Sequence, residues 1–341
     1  MAWTKKLPER PVVAVAGATG AVGREMLAVL EQRGFPASRV VALASSRSAG
    51  TRVPFGGEEL VVEEMTERSF EGVDIALFSA GASVSKQFRD AVIQAGCVMI
   101  DNSSAFRMDD DVPLVVPEVN ARDLAWHSGV IANPNCSTIQ MVVVLDVLRS
   151  LAPITRVVAA TYQAASGAGQ AAMDELYAQT GDFLAGRELV PSAFAHRIAF
   201  NCIPQIDVFL GDGSTKEEWK MVVETRKIMH QPDLAVAVTC VRVPVLRCHS
   251  EAVAVEFAAP VAVEDARRAL EAAPGITVLD DPETQTYPMP ALLAGTDDCY
   301  VGRLRADASV PHGLLMWIVA DQLRKGAALN AVQIAEALLA R

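Results

Sequence analysis

Apolar residues in the first hundred positions come in short unbroken runs, at 12–16, 40–44, 75–79 and 98–101. Runs that do not alternate with polar residues suit strands covered on both faces, and such strands belong to parallel sheets flanked by helices. Helical patterns lie between them, over 21–33 and, amphipathically, over 85–95. This βαβ alternation predicts a doubly wound, Rossmann-type α/β domain. The middle of the chain has longer, partly alternating runs at 156–163, 235–245, 252–258 and 299–305, separated by helical segments near 170–180, 216–229 and 263–272. That mixture predicts an α+β domain with a large open sheet, one face of which is available to a partner subunit. From 313 onward the pattern reads as helix again, broken at Gly326. The expected domains are therefore 1–134 and 135–312, with C-terminal helices over about 313–341 returning to complete the first.

Composition narrows the classes. The chain has 341 residues, 51% of them hydrophobic, enough for two cores and a buried subunit interface. No uncharged apolar stretch reaches the 18 or so residues of a membrane span; the longest, 139–148, already contains Asp146. Thirty Lys+Arg against 41 Asp+Glu give a net charge of −11, which argues against nucleic-acid binding while leaving room for a locally basic anion pocket. The start of the chain lacks the apolar core of a signal peptide, and six scattered cysteines form neither a C-x-x-C pair nor a metal-ligand spacing. A cytoplasmic protein with free thiols, no metal and no membrane partner is expected.

Two segments carry candidate chemistry. Gly17-Ala18-Thr19-Gly20-Ala21-Val22-Gly23 follows the first strand and opens the first helix. Glycines there let backbone approach a pyrophosphate, and the helix end supplies amides and a positive dipole. The spacing is G-x-x-G-x-x-G, a variant of the dinucleotide fingerprint. No acid follows the second strand; Ser45, Ser46, Arg47 and Ser48 stand there instead. A guanidinium among hydroxyls suits a ribose 2′-phosphate and favours NADP, unless Arg47 is simply a solvated surface charge.

The second segment is Asn133-Pro134-Asn135-Cys136, which ends in a polar turn just before the helical run 139–151. A thiol at a helix start sees amide dipoles that favour the thiolate, so Cys136 is a candidate nucleophile rather than a core thiol. Among five histidines, His249 lies just after a strand amid polar neighbours, either as acid/base for the thiohemiacetal oxygen or as a structural imidazole. Arg242, the only charge in 235–245, is either an edge residue facing solvent or a carboxylate anchor.

The stretches GATGAVG, DNSSAFRMD, PNCSTIQ, TYQAASGAG, EEWKMVVETRKI, RVPVLRCHSEAV and DDCYVGRLRAD, in that order over nearly the whole chain, resemble the aspartate-semialdehyde dehydrogenase family in its shorter bacterial branch. The resemblance implies a glyceraldehyde-3-phosphate dehydrogenase-like second domain. It also implies NADPH-dependent reduction of L-aspartyl 4-phosphate to L-aspartate 4-semialdehyde and phosphate, on the route to lysine, threonine and methionine. Cys136 would then carry the acyl group as a thioester, His249 would be the acid/base and Gln163 would orient the substrate. Arg242 would hold the α-carboxylate, Glu217 the α-amine, and Arg107 and Lys220 the phosphate. On residue type alone Arg107 has a surface charge as its lesser alternative, and Glu217 with Lys220 reads first as an i,i+3 surface pair. Ser166, Gly167 and Gln322 would flank the nicotinamide, beside the fingerprint and Arg47-Ser48. A homodimer or homotetramer is implied. Cys248 before His249, and Gln322 where Asn is more familiar, depart from the pattern in detail. A sister acyl-phosphate reductase, such as one acting on N-acetylglutamyl phosphate, keeps the same logic without needing Glu217; a non-catalytic NADP sensor would need no thiol at all.

Overall fold

The structure is a computed structural model describing residues 3–341, and the chain divides into two compact units. The first comprises the described residues up to Asn135 together with Ala327–Arg341. Its strands are β1 (Val12–Ala16), β2 (Arg39–Ala44), β3 (Arg52–Phe55), β4 (Glu58–Val61), β5 (Glu63–Glu64), β6 (Ile75–Phe78), β7 (Val98–Asp101) and β8 (Val130–Ala132). Six of them form a parallel sheet in the order β5-β2-β1-β6-β7-β8, while β3 and β4 make a separate hairpin. The central strands are buried along their length, as their unbroken apolar runs predict. Helices Ala21–Gln32 and Leu329–Leu339 cover the sheet, sharing a core with Val13, Val15, Leu77 and Ile100.

The order reverses between β1 and β6, so the loops at their carboxyl ends meet in the crevice where doubly wound sheets bind ligands. Gly17 has φ +86°, and a β-carbon there would lie 2.3 Å from the Ser79 carbonyl oxygen; one on Gly23 would lie 2.1 Å from that of Gly17. Both glycines are fixed by close backbone approach. Gly20, at the helix entry, meets nothing nearer than 3.4 Å.

The second unit, Cys136–Gly326, contains one six-stranded mixed sheet. Its strands are β9 (Ile154–Gln163), β10 (Ala235–Arg242), β11 (His249–Phe257), β12 (Ile276–Val278), β13 (Cys299–Asp307) and β14 (Gly313–Ala320), in the order β10-β9-β11-β14-β13-β12. One face carries the buried positions Val157, Ala159, Val253, Val255, Met316 and Ile318. Helices Cys136–Arg149, Lys216–Ile228 and Val263–Glu271 belong to the same unit. The other face presents Val158, Ala160, Tyr162, Ala252, Ala254, Leu315 and Trp317, apolar yet only partly buried, with the Tyr162 and Trp317 rings 5.2 Å apart.

The tail departs from the sequence expectation. Residues 313–320 are not helix but β14, paired antiparallel with both β11 and β13 in the middle of the second sheet. The chain rejoins the first unit only at Ala327, not at 313. Gly326 separates no two helices; it sits in a wide π-type turn, Arg324–Ala328, leading into Leu329–Leu339. The run GLLMWIVA is apolar at nearly every position, and such a run fits a buried strand and a buried helix equally well.

Candidate active site

In the second unit, strand register sets three polar side chains level with one another. Arg242 on β10 pairs with Gln163 on β9, and one step beyond the Ser250–Tyr162 pair His249 on β11 comes level with Gln163. Neighbours across a sheet at the same level point to the same face. All three are buried.

Cys136 is the first residue of helix Cys136–Arg149 and is partly exposed, unlike Cys97, Cys240, Cys248 and Cys299. Unpaired amides at a helix start stabilise a thiolate. The sulfur also lies within electrostatic reach of Arg242: burial pushes that guanidinium's pKa down, while Cys136 and Glu217 oppose the push. Gly326 closes on the nucleophile, since a β-carbon there would lie 2.9 Å from Cys136 Cβ.

His249 is fully buried. Its Nδ1 accepts the Ala164 backbone N–H at 3.0 Å, and its Nε2 has no partner among the described residues. An Nδ1 that accepts a hydrogen bond carries no proton, so the ring is a neutral Nε2–H tautomer. Desolvation holds its pKa well below the usual imidazole range, reinforced by Arg242. The carbonyl of the same Ala164 accepts from Arg242 Nη1 at 2.6 Å, and the Phe194 ring lies 5.9 Å from the guanidinium carbon. Arg242 is thus no solvent-facing edge residue. Phe194 belongs to a loop gathered on the buried Glu175 carboxylate, which accepts the backbone N–H groups of Ser192, Ala193 and Phe194.

Gln163 Nε2 donates to Ser137 Oγ at 2.6 Å and to Glu217 Oε1 at 3.1 Å, leaving Gln163 Oε1 buried without a partner among the described residues. Lys220 Nζ donates to Glu217 Oε2 at 3.0 Å and to Asp207 Oδ2 at 2.8 Å. Glu217 and Lys220 are mostly buried and form no surface pair. Burial alone would lower the Lys220 pKa, but the facing Glu217 and Asp207 carboxylates outweigh it and raise it. The helix bearing both residues starts with a capping box at Thr215 and Glu218, and Glu218 Oε1 also accepts the backbone N–H of Cys240 on β10. Helix and edge strand are thereby tied together.

Ser166 and Gly167 follow β9 and turn back over the row. A β-carbon on Gly167 would lie 2.7 Å from Arg242 Nη1 and 3.0 Å from His249 Nε2. Gln322 Oε1 accepts the Cys248 N–H at 2.8 Å, and its Nε2 donates to Ser166 Oγ. The remaining candidates lie in the first unit. Arg107 is buried, donating from Nη2 to the Asn102 carbonyl at 2.9 Å, so it is not a plain surface charge. Thr19, Ala21 and Val22 lie in or just after the glycine turn, and Ser45, Arg47 and Ser48 lie in an exposed turn after β2.

Residues 12–127 match the semialdehyde dehydrogenase NAD binding domain, and residues 145–325 match the semialdehyde dehydrogenase dimerisation domain. The chain is 53% identical over 334 residues to the aspartate-semialdehyde dehydrogenase of Bacillus subtilis (strain 168), covering 96% of each. It belongs to the aspartate-semialdehyde dehydrogenase family. The Aquifex aeolicus (strain VF5) member is also 53% identical, over 332 residues, covering 96% of this chain and 97% of that one. Among solved structures, aspartate semialdehyde dehydrogenase II of Vibrio cholerae complexed with ASA superposes with a TM-score of 0.95 at 47% identity, covering 97% of this chain and 98% of that one. The Candida albicans aspartate semialdehyde dehydrogenase with NADP gives a TM-score of 0.75 at 26% identity, covering 96% and 98%. As a member of this aspartate-semialdehyde dehydrogenase family the chain is an oxidoreductase of amino-acid biosynthesis with an NAD(P)-binding domain. Among the described residues no helix is long and apolar enough to cross a membrane.

Sequence reasoning did not find Ala164, whose backbone joins His249 to Arg242, nor Asp207, Phe194 and Gly326. Ala164 acts through peptide groups and leaves no side-chain signal. Asp207 and Phe194 come from a long irregular loop without periodicity. Ser137 alone had a local clue, as the hydroxyl next to the thiol.

Proposed function

We propose that the chain reduces L-aspartyl 4-phosphate to L-aspartate 4-semialdehyde through an acyl thioester on Cys136, as a homodimer using NADP. The observation that carries this reading is a pair of orphaned, fully enclosed atoms in one row of the sheet. Among the described residues the His249 Nε2–H is a donor without an acceptor, and Gln163 Oε1 is an acceptor without a donor, in the unit whose helix begins at Cys136. Buried polar atoms without partners are uncommon in native proteins, and here they mark where a substrate supplies both.

The Cys136 thiolate attacks the acyl carbon; the C–S bond forms, the bond to the phosphate oxygen breaks, and phosphate leaves. The reduced nicotinamide supplies the hydride that reaches the thioester carbon. The carbonyl oxygen turns anionic as it does so, and the His249 Nε2–H donates a hydrogen bond to it. Held neutral by burial and the Arg242 charge, with the Ala164 N–H on its Nδ1, the ring serves as a donor without having to gain a proton first. Collapse of the oxyanion breaks the C–S bond, releasing aldehyde and regenerating thiolate. Arg242 binds the α-carboxylate and Glu217 the α-ammonium. Lys220 and Arg107 hold the phosphate.

The first unit suits a dinucleotide. Its glycine turn admits no β-carbon at 17 or 23, its first helix has no side-chain cap at Gly20, and no acid follows β2 to oppose a 2′-phosphate near Arg47 and Ser48. Thr19, Ala21, Val22 and Ser45 complete that side, and Ser166, Gly167 and Gln322 the nicotinamide side. The apolar outer face of the second sheet is the dimer surface. Six scattered cysteines, in neither a C-x-x-C pair nor a metal-ligand spacing, fit a reducing, cytoplasmic setting.

The test is phosphate-dependent reduction of NADP, beside NAD, with L-aspartate semialdehyde. Turnover should need phosphate, favour NADP, and fall at least about a thousandfold in Cys136→Ser, as removal of a covalent nucleophile does. Mass spectrometry of quenched wild type should place the acyl group on Cys136. Acyl transfer to another residue, or full activity in Cys136→Ser, overturns the reading.

A further inference from the structure

The ladder between β11 and β14 ends with His249 opposite Ala320. The residue before His249, Cys248, stands outside the strand at φ +74°, in the left-handed region that a side chain with a β-carbon enters only at a cost. Backbone of this kind persists where the surroundings hold it from several sides. Here the holding groups are the two residues that follow Ala320. Gln322 Oε1 accepts the Cys248 N–H at 2.8 Å. Asp321, which has no exposed surface, pairs through Oδ2 with Arg247 Nε at 2.5 Å. Both residues in front of His249 are thus tied by side chains at the point where the ladder has stopped.

Asp321 is itself firmly seated. Its Oδ2 also accepts the Gly295 N–H at 2.7 Å, and its Oδ1 accepts the Leu323 N–H at 3.0 Å. Its carbonyl accepts the N–H groups of Arg324 and Gly326 at 3.0 and 3.2 Å. One residue therefore closes the turn that carries Gln322 out to Cys248 and brings Gly326 back against Cys136. A β-carbon on Gly326 would lie 3.2 Å from Gln322 Cβ as well as 2.9 Å from Cys136 Cβ. Contacts run in sequence from Cys136 through Gly326, Gln322 and Cys248 to His249, and Asp321 anchors the middle of that path. The Cys248 thiol adds no chemistry of its own, because burial pushes its pKa up to about 12.

We infer that Asp321 is a positioning residue, which through Arg247 and the turn bearing Gln322 holds Cys248 left-handed and so fixes where the His249 imidazole stands relative to Cys136. It does this without touching substrate. The consequence for rate rests on the thioester reading; the consequence for the backbone does not.

Two measurements test it. Crystal structures of wild type and Asp321→Asn, both without substrate, should show Cys248 at positive φ in wild type and at negative φ in the variant, with the His249 ring displaced. The single oxygen of asparagine cannot serve Arg247, Gly295 and Leu323 together. The same backbone and ring in both proteins overturns the inference whatever the route of catalysis. In kinetics, Asp321→Asn should lower kcat about ten- to a hundredfold, the scale of a misplaced reacting group, with KM for the semialdehyde and phosphate little changed. Glycine adopts the left-handed conformation freely, so Cys248→Gly alone should stay within a few fold of wild type. Added to Asp321→Asn, it should recover kcat by about fivefold or more, which a merely structural contact at Asp321 would not allow. Arg247→Met cuts the same tie from the other end, should match Asp321→Asn, and keeps the test open if that variant fails to fold. Wild-type kcat in Asp321→Asn or Arg247→Met, or no recovery with glycine, overturns the positioning role.

Discussion

A methyl group on residue 167 would sit 2.7 Å from Arg242 Nη1 and 3.0 Å from the only unsatisfied nitrogen of His249. Neither side chain can retreat, because the Ala164 backbone holds both. Gly167→Ala should therefore keep the far-ultraviolet circular dichroism of wild type while kcat/KM for the semialdehyde falls about a hundredfold. A variant within a few fold of wild type would show the loop free to move. Burial, reinforced by the Arg242 charge, sets the pH response of His249. With its folded pKa held well below 6.5, the imidazole stays neutral across the range where an ordinary histidine titrates. The unfolded chain takes up that proton more readily than the folded one, so stability contributed by the neutral ring is lost as pH falls below about 6.5. The kcat profile should accordingly show no acid limb near pH 6.5; a limb there that disappears in His249→Asn would contradict the neutral-donor role.

At the scale of elements, legibility followed how local each signal is. Strand β1, the glycine turn and the first helix could be read because an apolar run, three glycines and a helical period lie within one stretch of chain. Cys136 could be read for the same reason, since a polar turn and a helix start adjoin it. Strand β14 could not. Its partners are β11, which lies more than fifty residues back, and β13, so nothing local distinguishes GLLMWIVA from a buried helix. The hairpin of β3 and β4 was likewise absent from the expected elements. The site itself is a product of register. Arg242, Gln163 and His249 are unremarkable on their own strands, and Arg242 looked as much like an edge residue as an anchor. Only the pairing of β10, β9 and β11 brings them level.

For the whole molecule, the outer face of the second sheet bears on assembly. Tyr162 is 39% exposed with its ring against Trp317, amid alanine, valine and leucine side chains. A contiguous apolar surface of this kind marks an interface. Tyr162→Lys should shift sedimentation from dimer to monomer at micromolar concentration; an unchanged dimer would place the contact elsewhere.

The discontinuous first unit imposes an order on synthesis. The last segment, from Ala328 through helix Leu329–Leu339, supplies Ala328, Leu329, Ala331, Val332, Ile334, Ala335 and Leu338 to a core whose other buried members are all translated by Ile131. All of the second unit must be translated before that helix emerges, roughly 10–40 s at ordinary elongation rates. During that interval the nascent nucleotide-binding sheet lacks part of its cover, so chaperones and proteases meet this chain first at the surface its own last helix will occupy.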